Sequence, residues 1–242
     1  MHRSGTSIVA GILAKLGVDM GRDLLGANYS NPTGHFENKK FIQLNNKILK
    51  SAGGGWDFPP SEEKILVQRR KFENEIKKII VEEGKLLIWG WKDPRTSLTI
   101  ELYLPFLKNP YFLVCHRDNL EIANSLNKRD GLEIKQGLEL TKIYNQRINE
   151  FFEKYPKLRK MDLFYEEVIN NSKKWIKKIF DFLEIEPTKE SCQRAVDFVL
   201  PKEKVQELSR KMRATKKRKK IKKAILNPWK VLRYIYKKIT KQ

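Results

Sequence analysis

The chain begins with a short polar turn that runs directly into an apolar stretch with helical spacing. The turn reads Arg-Ser-Gly-Thr-Ser at residues 3–7, and the apolar stretch extends from Ile8 to Leu16. Backbone N–H groups and the dipole at a helix N-terminus favour bound anions, and a residue without a Cβ lets the backbone approach them closely. The predicted anion ligands are Arg3, Ser4, Gly5, Thr6 and Ser7. When the turn is considered without the other motifs, the alternative interpretation is a Ser/Thr-rich helix cap.

The turn lacks one element of the common nucleotide-triphosphate loop. That loop ends in Gly-Lys followed by Ser or Thr, and its lysine serves the β- and γ-phosphates. Residues 3–7 contain no lysine. The sequence therefore argues against an ordinary kinase or ATPase.

Basic residues also follow two predicted strands farther along the chain. Arg117 follows the strand-like run Tyr111–Cys115, and Ser125 lies about two turns into the next predicted helix, which Asp118 or Asn119 would cap. Lys92 follows a second predicted strand, Leu86–Trp89, and Arg95 comes soon after. Ligands of open α/β sheets bind beyond the carboxyl ends of the strands. The pattern predicts a ligand with two separated anionic groups and a lysine between them.

The remaining pattern predicts an α/β fold, with a P-loop-like parallel sheet flanked by helices and a basic C-terminal helical tail. A third strand is predicted at Met161–Phe164, and a loop over the site at residues 18–35. Helices are predicted at residues 6–17, 36–50, 61–82, 134–154 and 172–183. We predict one α/β domain over residues 1–201 and a basic amphipathic tail over residues 202–242.

Taken together and in order, these motifs resemble the P-loop-type sulfotransferases that use 3′-phosphoadenosine 5′-phosphosulfate (PAPS), in particular bacterial members. The resemblance lies between residues 1 and 185. Its matching segments are RSGTS at 3–7, NPTGHFEN at 31–38, WKDPR at 91–95, HRDNLEIANSL at 116–126 and FYEEV at 164–168.

The resemblance implies a role for each cluster of donors. Residues 3–7 would hold the 5′-phosphosulfate, and Arg117 with Ser125, eight residues apart, would hold the 3′-phosphate. Lys92 would reach the sulfate bridge and the acceptor. The alternative for Arg117 is an ion pair with Asp118 or Glu121. An Arg-Lys-Gly segment that grips the 3′-phosphate in cytosolic small-molecule members has no counterpart in this sequence.

A second departure concerns the start of the chain. In the family a buried strand precedes the first loop, whereas only Met1 and His2 precede Arg3. We expect that the start codon has been assigned too late and that the N-terminal strand is missing from this sequence. A natural or truncated fragment is the alternative, and the reading frame upstream of Met1 distinguishes the two.

Sulfuryl transfer to a hydroxyl calls for a general base. Family members often place a glutamate where Glu37 stands, so Glu37 is the first candidate, followed by His35 and Asp93. The alternatives are a helix N-terminal residue for Glu37, a loop hydrogen bond for His35 and an ordinary ion pair for Asp93. No His, Cys, Asp and Glu cluster has metal-ligand spacing, and we predict no metal.

The C-terminal segment differs from the rest of the chain in its net charge. Residues 202–242 hold 17 Lys and Arg against two Glu, a net charge of 17 − 2 = +15, which leaves 33 − 27 = +6 for residues 1–201. A helix is expected after Asn227 and Pro228, with one apolar face made by Trp229, Leu232, Ile235, Tyr236 and Ile239. We favour binding to an anionic membrane surface over packing on the body or binding to nucleic acid or another polyanion, because phosphate binding needs no aromatic stripe.

The sequence predicts a PAPS-dependent sulfotransferase acting on a hydroxyl of a carbohydrate or glycolipid acceptor, with no specific nucleic acid partner. The alternatives are another P-loop transferase such as a small-molecule kinase, or an inactive module that binds membranes or polyanions. Cys115 and Cys192 are expected to be free thiols. No signal peptide or membrane span is visible, and we expect a cytoplasmic protein whose tail lies at the inner face of the membrane.

Overall fold

The computed structural model describes the backbone of residues 1–225 and the side chains of residues 1–219. Within them, helices and two strands follow in this order: α1 (Thr6–Leu16), α2 (Lys39–Ser51), α3 (Glu62–Leu66), α4 (Arg69–Glu83), α5 (Thr96–Tyr103), a short 3-10 helix (Leu104–Phe106), β1 (Tyr111–His116), α6 (Asn119–Asp130), α7 (Ile134–Lys154), β2 (Arg159–Phe164), α8 (Tyr165–Asn170), α9 (Ser172–Phe182), α10 (Lys189–Phe198) and α11 (Lys202–Ile225).

The strands β1 and β2 form a small parallel sheet flanked by helices. Their register runs from Tyr111 opposite Arg159 to His116 opposite Phe164. Both were predicted, and both are confirmed. Because the two strands end at the same level, the residues that follow them, Arg117 and Tyr165, emerge side by side at one edge of the sheet.

The strand predicted at Leu86–Trp89 is wrong. Of these four residues only Trp89 forms a bridge, an isolated parallel pairing with Asp19. Leu86 and Leu87 are exposed, Leu87 almost completely at 98 %. A run of apolar residues makes a strand only where a neighbouring backbone pairs with it along its length, and Asp19 supplies a single pairing.

Helix boundaries differ from the predictions where a side chain caps the backbone. The predicted helix 36–50 begins only at Lys39, because the side chain of Asn38 accepts a hydrogen bond from the N–H of Lys40. The predicted helix 61–82 is divided into α3 and α4, with a break at Val67 and Gln68. The helices predicted at 6–17, 134–154 and 172–183 agree with α1, α7 and α9 to within one residue.

Two apolar clusters lie on opposite sides of β1. One packs α2, α4, α5, α6 and α7 together, and the other packs α1, β2, α9 and α10. Phe112 contacts the first cluster, whereas Leu113 and Cys115 contact the second. Because β1 lies between them, its carboxyl end and the residues beyond it are held in a fixed position.

Cys115 and Cys192 are free thiols, as predicted. Burial raises the pKa of Cys115 to about 12. No helix within residues 1–225 combines the length and the apolar character needed to cross a membrane.

The chain divides into two compact units. The first comprises residues 1–26 and 34–200, and the second comprises residues 27–33 and 201–242. All residues of the candidate site described below belong to the first unit. The division into domains at residue 201 remains a prediction.

Candidate active site

The backbone of the opening turn has positive φ angles at two residues. Gly5 is the N-cap of α1 with a φ of 92°, and its position is restricted by the ring of Tyr165: a Cβ on Gly5 would lie 2.5 Å from Cδ2 of that ring. Arg3 also has a positive φ, 67°. Since no side chain caps α1 and no acidic residue stands in its first turn, this helix start is open to an anion.

The hydroxyls of the turn differ in what they contact. Ser4 is buried, and its hydroxyl donates to the carbonyl of Met1 at 2.8 Å. Its buried side chain therefore stabilises the turn. Thr6 begins α1 and is half-buried, and the hydroxyl of Ser7 accepts a hydrogen bond from Lys92 at 3.0 Å.

Arg117 faces the opening turn from the end of β1. Its Nη1 donates to the carbonyl of Arg3 at 3.0 Å, and its Nη2 donates to Oε2 of Glu121 at 3.0 Å. The guanidinium lies 4.3 Å from the centroid of the Tyr165 ring, and only 9 % of the side chain is exposed. The ion pair with Glu121 that the sequence left open is therefore present together with the contact to the loop, and it holds the guanidinium in place.

Ser125 completes the connection between the two predicted clusters. Asp118 caps α6 by accepting a hydrogen bond from the N–H of Glu121, and the helix then carries Ser125 back to the opening turn. There the Nε of Arg3 donates to the hydroxyl of Ser125 at 2.8 Å. The turn, the end of β1 and α6 thus converge on Arg3.

Lys92 is surrounded by oxygens from two other segments. Its ammonium donates to Oε1 of Glu37 at 2.5 Å and to the carbonyl of His35 at 3.2 Å, as well as to Ser7. Burial lowers the pKa of Lys92, while the charge of Glu37 and its hydrogen bond oppose that shift. Glu37 is itself 6 % exposed. The loop residues predicted for catalysis and the lysine are therefore in direct contact.

His35 and Asp93 lie in different environments. The Nε2 of His35 is buried and has no hydrogen-bond partner among the described residues, and burial lowers the pKa of this imidazole. The carboxylate of Asp93 is fully covered, and it accepts hydrogen bonds from Arg95 at 2.8 Å and from Asn45 at 2.9 Å. The ordinary ion pair considered for Asp93 is the arrangement found, and it places this carboxylate inside the protein.

Arg3, Arg117 and Arg129 lie close together, and Glu121 and Asp130 offset the charges of the last two in part. Burial lowers the pKa of Arg3 to about 10, and the charges of Arg129 and Arg117 add to this effect. Cations packed this closely destabilise one another until an anion lies between them. The arrangement can therefore bind a ligand of high negative charge.

Comparison with known proteins identifies the family of the chain. The profile described as the sulfotransferase family matches residues 1–190, which is most of the chain. The chain belongs to the sulfotransferase family. No curated protein and no solved structure gave a match.

Within this sulfotransferase-family domain, sequence reasoning missed the role of Tyr165. Its ring lies between Gly5 and Arg117, and it therefore fixes both the turn and the guanidinium. The signal that could have revealed it was present: Tyr165 follows β2 as Arg117 follows β1, so the two residues had to be neighbours in a parallel sheet.

A second group of residues near Arg3 was also missed. The ring of Trp56 stacks at a tilt on His2, with 4.6 Å between their centroids, and the guanidinium of Arg129 lies 5.4 Å from the centroid of Trp56. Arg129 stands one helical turn after Ser125 on α6, on the same face. Helical spacing from Ser125 could have identified it.

The described part of the chain contains no cluster of three or more His, Cys, Asp or Glu side chains that could hold a metal ion.

Proposed function

We propose that this protein transfers a sulfuryl group from PAPS to a hydroxyl group, with a carbohydrate or glycolipid as the acceptor. The main support for the proposal is that Arg117 and Ser125 both contact Arg3. The carbonyl of Arg3 accepts a hydrogen bond from Arg117, and its guanidinium donates one to Ser125. These partners stand 114 and 122 residues from Arg3 in the sequence, so two distant donor clusters share one site. A nucleotide with anionic groups at both ends matches that arrangement.

The chemistry of the donors supports PAPS as the ligand. Because the Arg3 side chain donates to Ser125 and the Ser4 hydroxyl donates to the carbonyl of Met1, we revise the assignment of residues 3–7. Arg117, Ser125 and Arg3 would hold the 3′-phosphate, and the turn from Gly5 to Ser7 would hold the 5′-phosphosulfate. The buried Nε of Arg117, which has no hydrogen-bond partner among the described residues, suits an anion here. When bound, PAPS supplies the electrophilic sulfuryl group and an adenosine bisphosphate leaving group.

The residues of the chain have separate tasks in this proposal. Lys92 provides positive charge where negative charge develops, next to Ser7 at the start of α1. Glu37 accepts the proton of the acceptor hydroxyl at a carboxylate oxygen, and its ion pair with Lys92 holds that carboxylate in position. Both side chains are buried, which strengthens these electrostatic effects.

His35 is the second candidate for the base. Its lowered pKa keeps the imidazole neutral near pH 7, and its Nε2 is available as a proton acceptor. Asp93 is assigned a structural task instead, because Arg95 and Asn45 already occupy its carboxylate. We therefore rank Glu37 before His35 and exclude Asp93 from the proton transfer.

The acceptor class is inferred from the whole chain and not from contacts within the site. The carbohydrate or glycolipid assignment follows the resemblance to sulfotransferases and the basic tail, since a glycolipid would present its hydroxyls at a membrane surface. The partly buried ring of Trp56 packs against His2, the residue before Arg3, and offers a surface on which a sugar could stack.

The donor assignment is tested by thermal unfolding of the full chain with adenosine 3′,5′-bisphosphate or with ATP and Mg²⁺. We expect stabilisation by the bisphosphate and much less by ATP and Mg²⁺. A preference for ATP and Mg²⁺ would instead support a kinase, and no response to either ligand would support an inactive module.

The transfer itself is tested with PAPS carrying a radiolabelled sulfate. Polysaccharides, glycolipids and simple phenols serve as acceptors, and label incorporated into a carbohydrate supports the acceptor class. Label found only in phenols would overturn that part of the proposal.

The base is identified by three variants. Glu37→Gln should lose turnover while keeping its affinity for adenosine 3′,5′-bisphosphate, and His35→Gln should keep more activity. Glu75→Gln, at an exposed glutamate paired with Lys47, is the control and should leave turnover unchanged. Full activity of Glu37→Gln would remove Glu37 from the proton transfer.

A further inference from the structure

The helix α11 combines a high positive charge with an absence of acidic residues over most of its length. Between residues 208 and 225 the sequence has ten Lys and Arg and no Asp or Glu. The helix itself runs from Lys202 to Ile225. Most of its basic side chains therefore have no carboxylate one turn away on the same helix, which is the usual source of compensation on a helix surface.

Among the side chains of α11 that are described, up to Lys219, the partly buried apolar ones lie in its first half. Val205, Leu208 and Met212 are partly buried and follow helical spacing, whereas every residue from Arg213 to Lys219 is exposed. Lys211 pairs with Glu207 at 2.5 Å. Beyond Lys211, the part of α11 whose side chains are described contains no ion pair.

The same side of the helix contacts the other segment of its own unit, residues 27–33. The hydroxyl of Ser209 donates to the carbonyl of Tyr29. Arg213 and Lys216 lie 5.2 Å and 4.8 Å from the centroid of the Tyr29 ring. The apolar positions and these contacts together occupy about half of the helix circumference.

The opposite half of α11 is basic. With 3.6 residues per turn, Arg210, Lys211 and Arg218 lie there together with Glu207, the partner of Lys211, and all four side chains are exposed. We call the three basic residues the far face.

Repulsion between like charges makes this arrangement unfavourable in isolation. Arg213 with Lys217 and Lys216 with Lys219 are neighbours on the helix surface outside the far face, and Lys211 and Arg218 stand seven residues, about two turns, apart on it. A helix with such spacing is stabilised by an extended anionic partner, because each contact removes repulsion as well as adding attraction.

We propose that the far face of α11 is a docking surface for the anionic lipid headgroups of a bilayer. The charge of the helix is complementary to such a surface. Residues 226–242 lie outside the described residues, but their sequence adds five basic residues, no acidic ones, and the predicted apolar stripe that includes Trp229 and Tyr236. Aromatic and aliphatic side chains interleaved with lysine suit the interface of a bilayer, whereas nucleic acid phosphates need only the charge.

The proposal is tested by co-sedimentation of the full chain with vesicles of phosphatidylcholine, with and without phosphatidylserine. We expect binding only when phosphatidylserine is present. The variant Arg210→Gln/Lys211→Gln/Arg218→Gln should bind about a hundredfold more weakly, because each basic residue near an anionic leaflet contributes about fivefold. Far-ultraviolet circular dichroism checks that the variant remains folded.

A matched variant separates the far face from the total charge. Lys135→Gln/Lys142→Gln/Lys174→Gln removes three exposed lysines from α7 and α9 and should bind vesicles as the unaltered chain does. Equal loss in both triple variants would overturn the proposal in favour of a bulk charge effect. Retention on heparin or RNA without any vesicle binding would overturn it in favour of a polyanion. None of these outcomes depends on sulfuryl transfer.

Discussion

The ammonium of Lys92 lies 2.5 Å from Oε1 of Glu37, and only 10 % and 8 % of the two side chains are exposed. A buried ion pair adds little net stability, because the loss of hydration offsets the attraction between the charges. In the proposed function this pair lies beside Ser7, at the start of α1, where the sulfuryl group would be transferred.

The first prediction follows from that pair. Lys92→Met leaves the carboxylate of Glu37 buried with only the more distant Arg95, at 4.0 Å, as a cationic neighbour, and we expect the free energy of unfolding to fall by about 3 kcal/mol. Turnover should fall by about 10²–10³-fold, as expected when one well-aimed donor of positive charge is removed. Urea unfolding and the radiolabelled transfer assay measure the two effects.

A double variant separates stability from catalysis. Glu37→Leu/Lys92→Met replaces both charges with apolar groups and should recover much of the stability, because no buried charge remains from the pair, but none of the turnover. Lys47→Met breaks a pair of similar length, 2.8 Å, that is exposed to solvent, and should change neither. Substantial turnover in the double variant would contradict the roles assigned to Lys92 and Glu37.

The second prediction concerns Gly5. Gly5→Ala puts a Cβ where Tyr165 lies and also forces an L-residue to a φ of 92°. Because the ring of Tyr165 packs against the guanidinium of Arg117, we expect weaker binding of adenosine 3′,5′-bisphosphate together with lower stability. Calorimetric titration and thermal unfolding measure the two changes.

Gly17 provides the matched control for that substitution. It has a similar φ of 100° and ends α1, but a Cβ there has open space around it. Gly17→Ala should therefore lose only the stability that a left-handed conformation requires, about 1–2 kcal/mol, and should bind the nucleotide normally. Equal behaviour of the two variants would show that the ring of Tyr165 does not constrain the turn.

The third prediction concerns pH. His2 is 6 % exposed, its Nε2 has no hydrogen-bond partner among the described residues, and burial together with Arg95 and Arg129 holds its pKa well below 6.5. The unfolded chain takes up a proton near pH 6.5 that the folded protein does not accept. The stability associated with neutral His2 is thus complete above pH 6.5 and declines as the pH falls toward the folded pKa.

The variant His2→Phe keeps an aromatic ring against Trp56 and removes the titration. Between about pH 6.5 and about pH 5, the unaltered chain should lose up to about 1.4 kcal/mol per pH unit through this residue, and the variant should lose less. Urea unfolding at several pH values measures the slopes. Identical slopes for the two proteins would contradict the burial of a neutral imidazole at this position.

The sequence predicted the elements whose patterns are local. The runs Tyr111–Cys115 and Met161–Phe164 were recognised as strands, and α1 followed from its small-residue turn and helical spacing. Leu86–Trp89 had an equally apolar pattern, but whether it becomes a strand depends on a pairing partner. Asp19 provides only one pairing, and the local sequence does not contain that information.

The candidate site was likewise only partly predictable from the sequence. Its chemical groups could be read from the motifs, since Arg3, Lys92, Arg117 and Ser125 stand at the ends of elements or on a helix face. The contact of Lys92 with Glu37 and the covering of Asp93 by Asn45 arise from segments that meet only in the folded chain. The sequence and its resemblance could therefore propose and order three candidate bases, and packing was needed to show that the carboxylate of Asp93 is already occupied by Arg95 and Asn45.

The account depends most on Arg117 as a ligand of a nucleotide phosphate, and calorimetric titration with adenosine 3′,5′-bisphosphate tests it directly. Arg117→Ala should bind about 10–100-fold more weakly than the unaltered chain, because a hydrogen bond to a charged group contributes about 1.5–3 kcal/mol. Arg159→Ala, at the opposite end of the same sheet, should bind normally. Unchanged affinity in Arg117→Ala, or equal loss in both variants, would contradict the proposed site.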